Sequence, residues 1–442
     1  MDLINAKILL FLDYPDIINA CIALLDFAKV CETPYFWVLK AKQDFGIPED
    51  ELLLITGNTN QERYKLIYDI KDFDVGLVKT AGEGILSLVK YFLKQGATKN
   101  EDALRWAAIN GRLNVVKYLV EQGVDLHAMN EDALRLAAEN GQLDVVKYLV
   151  EQGADFHVRN EYALRSAAMN GHLKVVKYLV EQGADLHALD EEALGLAAMD
   201  GHLDIVKYLV EQGANLHAKD EDALRSAAEK GHLDVVKYLI EQGADLHADD
   251  EDALRLAAEK GHLDVVKYLV EQGTNFHDRA LKFAAANGHL DIVRYLVEQG
   301  ANIHDGVLGL AVEDGQLEVV KYLVELGVAV YVETLGLAAG YGQLEIVKYL
   351  VELGFNLHSH NEDALILAAK YGHLDVVKYL VEQGANIHAR DEEALVMAAE
   401  YDHLDVVKYL VEQGANLNEE VLRLATQYGY LDLVKYLTER SE

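Results

Sequence analysis

The chain has 442 residues, with 40 Lys and Arg against 74 Asp and Glu, which gives a formal net charge of −34. This length exceeds what one compact core usually holds, so several globular domains or a repeat array are expected. Because like charges repel, the acidity disfavours nucleic acid and anionic membranes as partners, and it also keeps a long open array soluble.

The only cysteines, Cys21 and Cys31, lie near the N-terminus. So few cysteines disfavour a disulfide framework or a zinc site and favour a reducing intracellular setting. The opening MDLINAK has no basic region, and the apolar run from Ile8 to Leu12 is too short for a signal peptide or a membrane span. We therefore expect a soluble, cytoplasmic protein without a membrane partner.

The first predicted module covers residues 1–47 and is helical. Pro15 is placed to start a helix, with Asp13 as its candidate cap, and the pair Thr33-Pro34 marks a break before another helix. Three short helices give a small core, so this module is expected to gain stability from a partner. Residues 48–72 are predicted to be a connector with some helix from Gln61 to Ile70.

From residue 73 to residue 442 the chain repeats. The string VVKYL or a close variant occurs thirteen times, at intervals of 27 or 30 residues. The basic residue of each copy is Lys90, Lys117, Lys147, Lys177, Lys207, Lys237, Lys267, Arg294, Lys321, Lys348, Lys378, Lys408 or Lys435. Such self-similarity predicts an all-α solenoid, with a degenerate first unit and a last unit that caps the array.

One unit, Glu251 to Gly273, reads EDALRLAAEKGHLDVVKYLVEQG and predicts two short antiparallel helices. Asp252 is placed to cap the first helix, Gly261 to end it in a left-handed conformation, and Asp264 to lie near the N-terminus of the second. A single unit cannot bury its own apolar stripe, so stability should come from stacking neighbouring units.

The motifs ALRLAA and GHLDVVKYLVEQGAD resemble the ankyrin repeat, over more than four fifths of the chain. The units differ from that family by Asp and Ala at the Thr-Pro positions and by 27 or 30 residues instead of about 33. The missing residues fall in the finger between units, which should be short. In that detail the chain is similar to the ankyrin proteins of giant DNA viruses of amoebae.

The order FLDYPDI, then a helix through Leu24, then PYFW resembles the F-box, which in its family docks onto the adaptor of cullin-based ubiquitin ligases. The family's N-terminal Leu-Pro is Leu3-Ile4 here, and its Val-Cys-x-x-Trp signature is absent. The resemblance implies an adaptor-facing surface made of Ile8, Leu9, Phe11, Leu12, Pro15, Ile17, Ile18 and Leu24. The alternative is that this segment is only a helical cap on the first repeat.

Positions that drift between copies are the finger tip and the residues near the glycine between the two helices. In ankyrin proteins these positions line the groove that contacts partners, so the resemblance implies a protein-binding face. Aromatic residues and methionine at these positions are typical of protein interfaces, although neutral drift would also scatter them. The set is Trp106, Ile109, Met129, Arg159, Met169, Leu189, Met199, Lys219, Lys230, Lys260, Tyr341, Tyr371, Tyr401 and Tyr428.

The seventeen histidines fall mainly at two repeated positions, the GH turn and the LH finger base. Copies of one position in successive repeats are roughly 10 Å apart, too far for a shared zinc ion. Only His358 and His360 are close enough, and a solvated loop pair is the simpler interpretation. No catalytic motif occurs, so we expect no enzyme activity, no cofactor and no metal.

Two functions therefore remain. The first is a substrate receptor, in which the F-box-like segment joins a cullin-type ubiquitin ligase and the groove holds a protein target. The second is a scaffold or decoy that sequesters a host or viral protein without a ligase. Both predict a monomer with a protein partner in its groove, in the cytoplasm of the host cell if the protein is viral. Units near Gly273 to Leu353 have short fingers, whose role the sequence leaves open.

Overall fold

The computed structural model describes residues 9–23, 30–55, 59–98, 100–275 and 277–441. Every regular element in these ranges is a helix, and no strand occurs in them. The helices of the N-terminal segment whose bounds the structure gives are α1 Tyr14–Ala23, α2 Pro34–Phe45, α3 Glu49–Leu52 and α4 Asn60–Tyr68. The start of α1 agrees with the predicted start at Pro15, and α2 begins at Pro34, within the pair Thr33-Pro34 that was predicted to be a break.

The remaining helices form hairpins of a first and a second helix. The first helices are α5 Phe73–Glu83, α7 Asn100–Ile109, α9 Ala128–Glu139, α11 Val158–Met169, α13 Ala188–Met199, α15 Asp222–Lys230, α17 Ala248–Lys260, α19 His277–Ala286, α21 Asp305–Glu313, α23 Glu333–Gly340, α25 Asp363–Lys370, α27 Ala389–Glu400 and α29 Glu419–Tyr428. The second helices are α6 Leu86–Lys94, α8 Leu113–Glu121, α10 Leu143–Glu151, α12 Leu173–Glu181, α14 Leu203–Glu211, α16 Leu233–Glu241, α18 Leu263–Glu271, α20 Leu290–Glu298, α22 Leu317–Glu325, α24 Leu344–Glu352, α26 Leu374–Glu382, α28 Leu404–Glu412 and α30 Leu431–Ser441.

Within each hairpin, short local signals set where the helices end. Gly261 closes α17 in a left-handed conformation, with φ of 86°, as predicted. The Asp264 carboxylate accepts a hydrogen bond from the Val265 amide at 2.9 Å, near the N-terminus of α18. Gly273 follows α18 with φ of 103°, a conformation open to glycine at little cost. The predicted two-helix unit is therefore correct.

The core lies between successive hairpins. In the hairpin of α17 and α18, Leu254, Ala257, Ala258, Val265, Val266 and Leu269 are at most 1% exposed. The paired alanines let first helices pack closely on one another, while the valines and leucine of the second helix fill the space behind them. Burying a side chain of this size contributes about 1.5 to 3 kcal/mol, so the stacked apolar stripes supply most of the stability.

The helices cluster into two compact units, residues 1–223 and residues 224–442. In the first unit, neighbouring first helices from α5 to α13 contact one another, and in the second unit those from α17 to α29 do so. The second helices from α6 to α14 and from α16 to α28 form the same succession of neighbouring contacts. Each unit is therefore a stack of nearest-neighbour contacts, which is how a solenoid is built.

The N-terminal helices pack on the first hairpin. Trp37 and Tyr64 are each 1% exposed and their rings lie 5.4 Å apart. Phe45 contacts the ring of Tyr91 on α6, at 5.4 Å between centroids. The predicted connector is helical as well, and Glu51 on α3 accepts a hydrogen bond from the Ser87 amide at 3.0 Å. Helices α2 and α3 thus contact α6 of the first hairpin.

Two expectations for local structure were wrong. The cysteine count was taken to disfavour a disulfide framework, but Cys21 and Cys31 form a disulfide, with their Cα atoms 6.4 Å apart. Asp252 was predicted to be a helix cap, yet its side chain is 3% exposed and pairs with arginines instead.

Candidate functional site

Three successive left-handed residues occur in seven repeats, either just before a first helix or at its second to fourth residues, where they interrupt the helical φ and ψ angles. In the finger at residues 129–131, Met129, Asn130 and Glu131 have φ of 53°, 57° and 60°. We call this arrangement the left-handed triad; the others lie at residues 159–161, 189–191, 219–221, 249–251, 360–362 and 390–392. In the described part of the chain, repeats that follow a 27-residue interval lack it, so the three-residue difference in length is this triad.

A histidine and a glutamate hold each triad in place. His127 donates from Nδ1 to Oε1 of Glu131 at 2.5 Å, and His388 does so to Glu392 at 2.7 Å. The glutamates are almost fully buried, with Glu131 3% exposed and Glu251 1% exposed. Three successive non-glycine residues in this region cost roughly 1 to 2 kcal/mol each, so the buried, hydrogen-bonded carboxylate offsets local strain.

These pairs make stability depend on pH. The hydrogen bond to Glu131 raises the pKa of His127 above its usual 6.5, and the bond to Glu191 raises the pKa of His187 in the same way. Because the pKa of each histidine is higher in the folded state than in the unfolded state, the protonated histidine stabilises the fold fully below about pH 6.5. This stabilisation is lost as the pH rises through the folded-state pKa. We expect the urea midpoint to fall as the pH rises above about 6.5.

In a His127→Gln, His187→Gln double variant this fall should be smaller. An equal fall in the variant and the native chain would show that the pairs are not coupled to folding.

The finger tip and the residues near the inter-helix glycine are at the surface, as the groove prediction requires. In the first unit, Trp106, Met129, Met169 and Leu189 are 42–60% exposed, and Arg159 is exposed. Ile109 and Met199 are only half-buried. Trp106 lines a cavity of about 670 Å³ together with Val75 and Val78 of α5. Trp106, one of the predicted groove residues, therefore lies at an open recess.

Exposed tyrosines recur at one position in the second unit. Tyr341, Tyr371, Tyr401 and Tyr428 follow or end first helices and are 46–52% exposed. The Lys370 ammonium lies 5.3 Å from the ring centroids of both Tyr371 and Tyr401, and Tyr341 and Tyr371 line a cavity of about 520 Å³. Three of the four predicted tyrosines are thus brought together in neighbouring repeats.

The predicted basic residues are exposed as well. Lys230 and Lys260 each contact the preceding glutamate, Glu229 and Glu259, at 3.4 and 2.9 Å. Lys219 is exposed in a left-handed triad. Since acidic partners already flank two of these lysines, they present less free positive charge than the sequence indicated.

Arginines of the first helices form contacts between repeats that the sequence analysis missed. Arg165 pairs with Glu192 of the next repeat at 2.8 Å, and Arg225 with Asp252 at 3.2 Å. In both repeats the arginine follows the first leucine of the first helix, Leu164 or Leu224. We call the residue that follows this leucine in each repeat the arginine position. Burial alone would raise the pKa of Asp252, but the hydrogen bond from Arg255 and the charges of the nearby arginines lower it overall. The Leu-Arg pair that recurs in the first helices was the sequence signal that could have indicated these contacts between repeats.

The Lys-Tyr pair of VVKYL is a second inter-repeat contact that was missed. The Lys147 ammonium lies 5.7 Å from the ring of Tyr178, and Lys237 lies 5.4 Å from the ring of Tyr268. An ammonium over an aromatic face is attracted to the ring quadrupole. The constancy of this pair therefore reflects stacking and not partner binding.

The histidines of the GH turn also link repeats. His172 donates from Nε2 to the carbonyl of Glu139 at 2.9 Å, and His403, at the same position after Asp402, donates from Nε2 to the carbonyl of Lys370 at 2.9 Å. At the finger, His360 lies 4.0 Å from both Glu333 and Asp363, while His358 bonds to Glu362. No group of three or more metal-ligating side chains occurs among the described residues.

The predicted adaptor-facing residues that the structure describes differ in exposure. Leu9 and Ile17 are 0% exposed and belong to the N-terminal core. Phe11 is 82% exposed and Pro15 is exposed, whereas Leu12 and Ile18 are half-buried. The other two, Ile8 and Leu24, lie outside the described residues.

Stacked helical hairpins with constant buried positions and variable exposed ones define a repeat protein that acts as an interaction module. The model for "Ankyrin repeats (3 copies)" matches residues 77–160, 164–250, 224–307, 308–391 and 389–442. The chain therefore belongs to the ankyrin-repeat family, whose members are typically non-enzymatic protein-interaction modules. The matches begin at residue 77, so they leave the F-box-like segment untested.

Among solved structures, the chain is similar to the crystal structure of the human ASB11 ankyrin repeat domain. Sequence identity is 26%, the match covers 46% of this chain and 99% of that chain, and the TM-score is 0.41. No curated protein matches the sequence significantly. No helix in the described ranges is both long and apolar enough to span a bilayer.

Proposed function

We propose that the protein is a scaffold that binds a protein target along the exposed face of its first helices and fingers. The observation that carries this proposal is the cluster of Tyr341, Tyr371 and Tyr401, which are half-exposed in three successive repeats. Protein interfaces favour tyrosine, and these rings stay about half-exposed even though Lys370 contacts two of them. The bound target would lie against these rings, with a monomeric scaffold as its support.

The test is capture of the target by the full chain. Partners are first identified by proximity labelling, and one of them is then titrated against the purified native protein. The double variant Tyr371→Ala, Tyr401→Ala should bind about tenfold more weakly or worse, because aromatic residues at an interface centre contribute more than about 1 kcal/mol each. Thermal unfolding should be unchanged, since both rings are half-exposed.

The matched control is Leu326→Gln. Leu326 is 47% exposed just beyond the second helix α22, and glutamine occupies this position at Gln299. Binding by this control should equal that of the native chain. Native affinity in the tyrosine double variant would place the target on another surface.

A further proposal is that the N-terminal segment links this scaffold to the adaptor of a cullin-type ubiquitin ligase, which requires a cytoplasmic location. Its support is Phe11, which is 82% exposed, next to the exposed Pro15. The alternative of a scaffold or decoy that sequesters a host or viral protein is supported by the contacts of Phe45 and Glu51 with the first repeat. Such contacts are expected if the N-terminal segment only caps the first repeat.

Purified cullin adaptor separates the two functions. If the link exists, the full native chain should bind it, and Phe11→Ala should weaken binding about tenfold because the exposed ring is removed without loss of core. Leu66→Ala, which removes a 46% exposed side chain from α4, is the control and should bind as the native chain does. If the folded native chain did not bind the cullin adaptor, the ligase link would be ruled out and only the scaffold or decoy function would remain.

A further inference from the structure

Two successive glycines interrupt the arginine position in the second unit. Gly309 on α21 and Gly336 on α23 stand where Arg225 and Arg255 stand in earlier repeats. An added Cβ at Gly309 would meet no atom within 4 Å. The space that an arginine side chain occupies in other repeats is therefore open here.

A cavity of about 470 Å³ occupies this space. Its walls are largely apolar and include Leu308, Leu337 and Leu367, with both glycines at its base. Tyr331, which is 51% exposed, stands at its edge. A long aliphatic side chain with a polar end would fit such walls, because its stem can bury apolar surface while its head stays near water.

Carboxylates lie where the missing arginines would pair. In three repeats the arginine contacts an acidic residue two positions before the leucine of the next first helix: Arg105 contacts Asp132, Arg165 contacts Glu192 and Arg225 contacts Asp252. The corresponding residues here are Glu333 and Asp363, and both line the cavity. Asp363 has a replacement cation in Arg390 at 2.7 Å, whereas the nearest ionisable nitrogen of Glu333 is that of His360, at 4.0 Å.

A single glycine at the arginine position does not have this effect. At Gly195, an added Cβ would lie 2.8 Å from Oδ2 of Asp222, so the carboxylate of the next repeat fills the space. The cavity near Gly309 and Gly336 thus depends on two consecutive replacements, and on a carboxylate that stays 72% exposed at Glu333.

We propose that this cavity, between α21, α23 and α25, binds an arginine side chain of the target protein, which takes the place of the chain's own missing arginines. The guanidinium would pair with Glu333, its methylene stem would contact Leu337 and Leu367, and Tyr331 would cover it. The planar guanidinium group can donate two parallel hydrogen bonds to one carboxylate. Because it is a cation, it also stacks favourably on an aromatic ring. The proposal rests on the groove function above and names the chemistry of its target, a basic segment with aliphatic neighbours.

The experiment uses the full chain and a synthetic peptide, Gly-Ser-Leu-Arg-Leu-Ser-Gly, against the same peptide with citrulline, a neutral isostere, in place of arginine. Binding at millimolar peptide is followed by NMR of the leucine methyl groups. We expect the arginine peptide to shift the Leu337 and Leu367 methyls, and the citrulline peptide to bind at least about tenfold more weakly, as a charge-assisted bond is lost.

Protein variants locate the effect. Gly309→Arg fills the cavity with the residue of other repeats and should abolish peptide binding, while it should not lower thermal stability because glycine is unfavourable inside a helix. Glu333→Gln should weaken the arginine peptide about tenfold and leave the citrulline peptide unchanged. Gly195→Arg, the same exchange in a repeat without this cavity, should bind as the native chain does.

Equal binding of the two peptides, no methyl shifts with the arginine peptide, or full binding by Gly309→Arg would each overturn the arginine site. Target capture distinguishes this failure from failure of the scaffold function. If Tyr371→Ala, Tyr401→Ala loses the target while Gly309→Arg keeps it, the groove function stands and the arginine site falls. Loss of the target in Gly309→Arg, with Gly195→Arg unaffected, supports both.

Discussion

Replacing Leu269 with alanine should destabilise the protein by about 2 to 5 kcal/mol, the usual cost of removing a buried leucine side chain. Leu269 on α18 is 0% exposed and belongs to the apolar set that joins its hairpin to its neighbours. Because each repeat is stabilised by its neighbours, the loss affects the interfaces on both sides of the hairpin. Urea unfolding of the purified chain followed by circular dichroism measures it.

Leu353→Ala is the control for that experiment. Leu353 is 48% exposed just after α24, so its truncation should change the free energy of unfolding by less than about 0.5 kcal/mol. If Leu269→Ala unfolded at the same urea concentration as this control, the contacts between hairpins would contribute little and stacking would not be the source of stability.

The second large effect is expected at the glycine between the two helices of a hairpin. Gly231 has φ of 78°, and a Cβ there would lie 2.4 Å from Nδ1 of His262 in the next repeat. Gly231→Ala therefore combines backbone strain of about 1 to 2 kcal/mol with displacement of the imidazole. His262 would then lose its hydrogen bond to the Glu229 carbonyl, now 2.9 Å, which adds about 1 kcal/mol.

Gly243→Ala separates the cost of backbone strain from the cost of displacing an imidazole. Gly243 has φ of 101°, but a Cβ added there would meet nothing within 4 Å. This variant should show only the backbone cost of about 1 to 2 kcal/mol. The difference between the two variants in urea unfolding then measures the contact with His262, and equal midpoints would mean that the imidazole can move away freely.

The local features of the fold could be predicted because they depend on neighbours in sequence. The glycine at 261, the apolar stripe through Leu254 and the start of α2 at Pro34 are each determined by a few adjacent residues. Asp252 was misassigned because its partner Arg225 comes from the preceding repeat. Pairing of that kind depends on the stacking geometry, which is not encoded in the spacing of a single unit.

The candidate surface was predicted in part for the same reason. Variation between copies correctly indicated exposed positions such as Trp106 and Tyr371, because burial restricts residue choice and exposure does not. The left-handed triads were missed, since residues such as Met129 and Glu131 do not favour that conformation on their own. The cavity at Gly309 was missed because it exists only where two neighbouring repeats lack the same side chain.

The left-handed triad also governs how such an array can change in length. It adds three residues at a point where neither helix of the hairpin is altered, and its glutamate turns inward to hold the added turn. Repeats of 27 and 30 residues can therefore replace one another, because both pack on their neighbours through the same surfaces of their two helices. Duplication or loss of whole copies can reposition binding residues along the chain by fixed increments while the joints between copies stay the same.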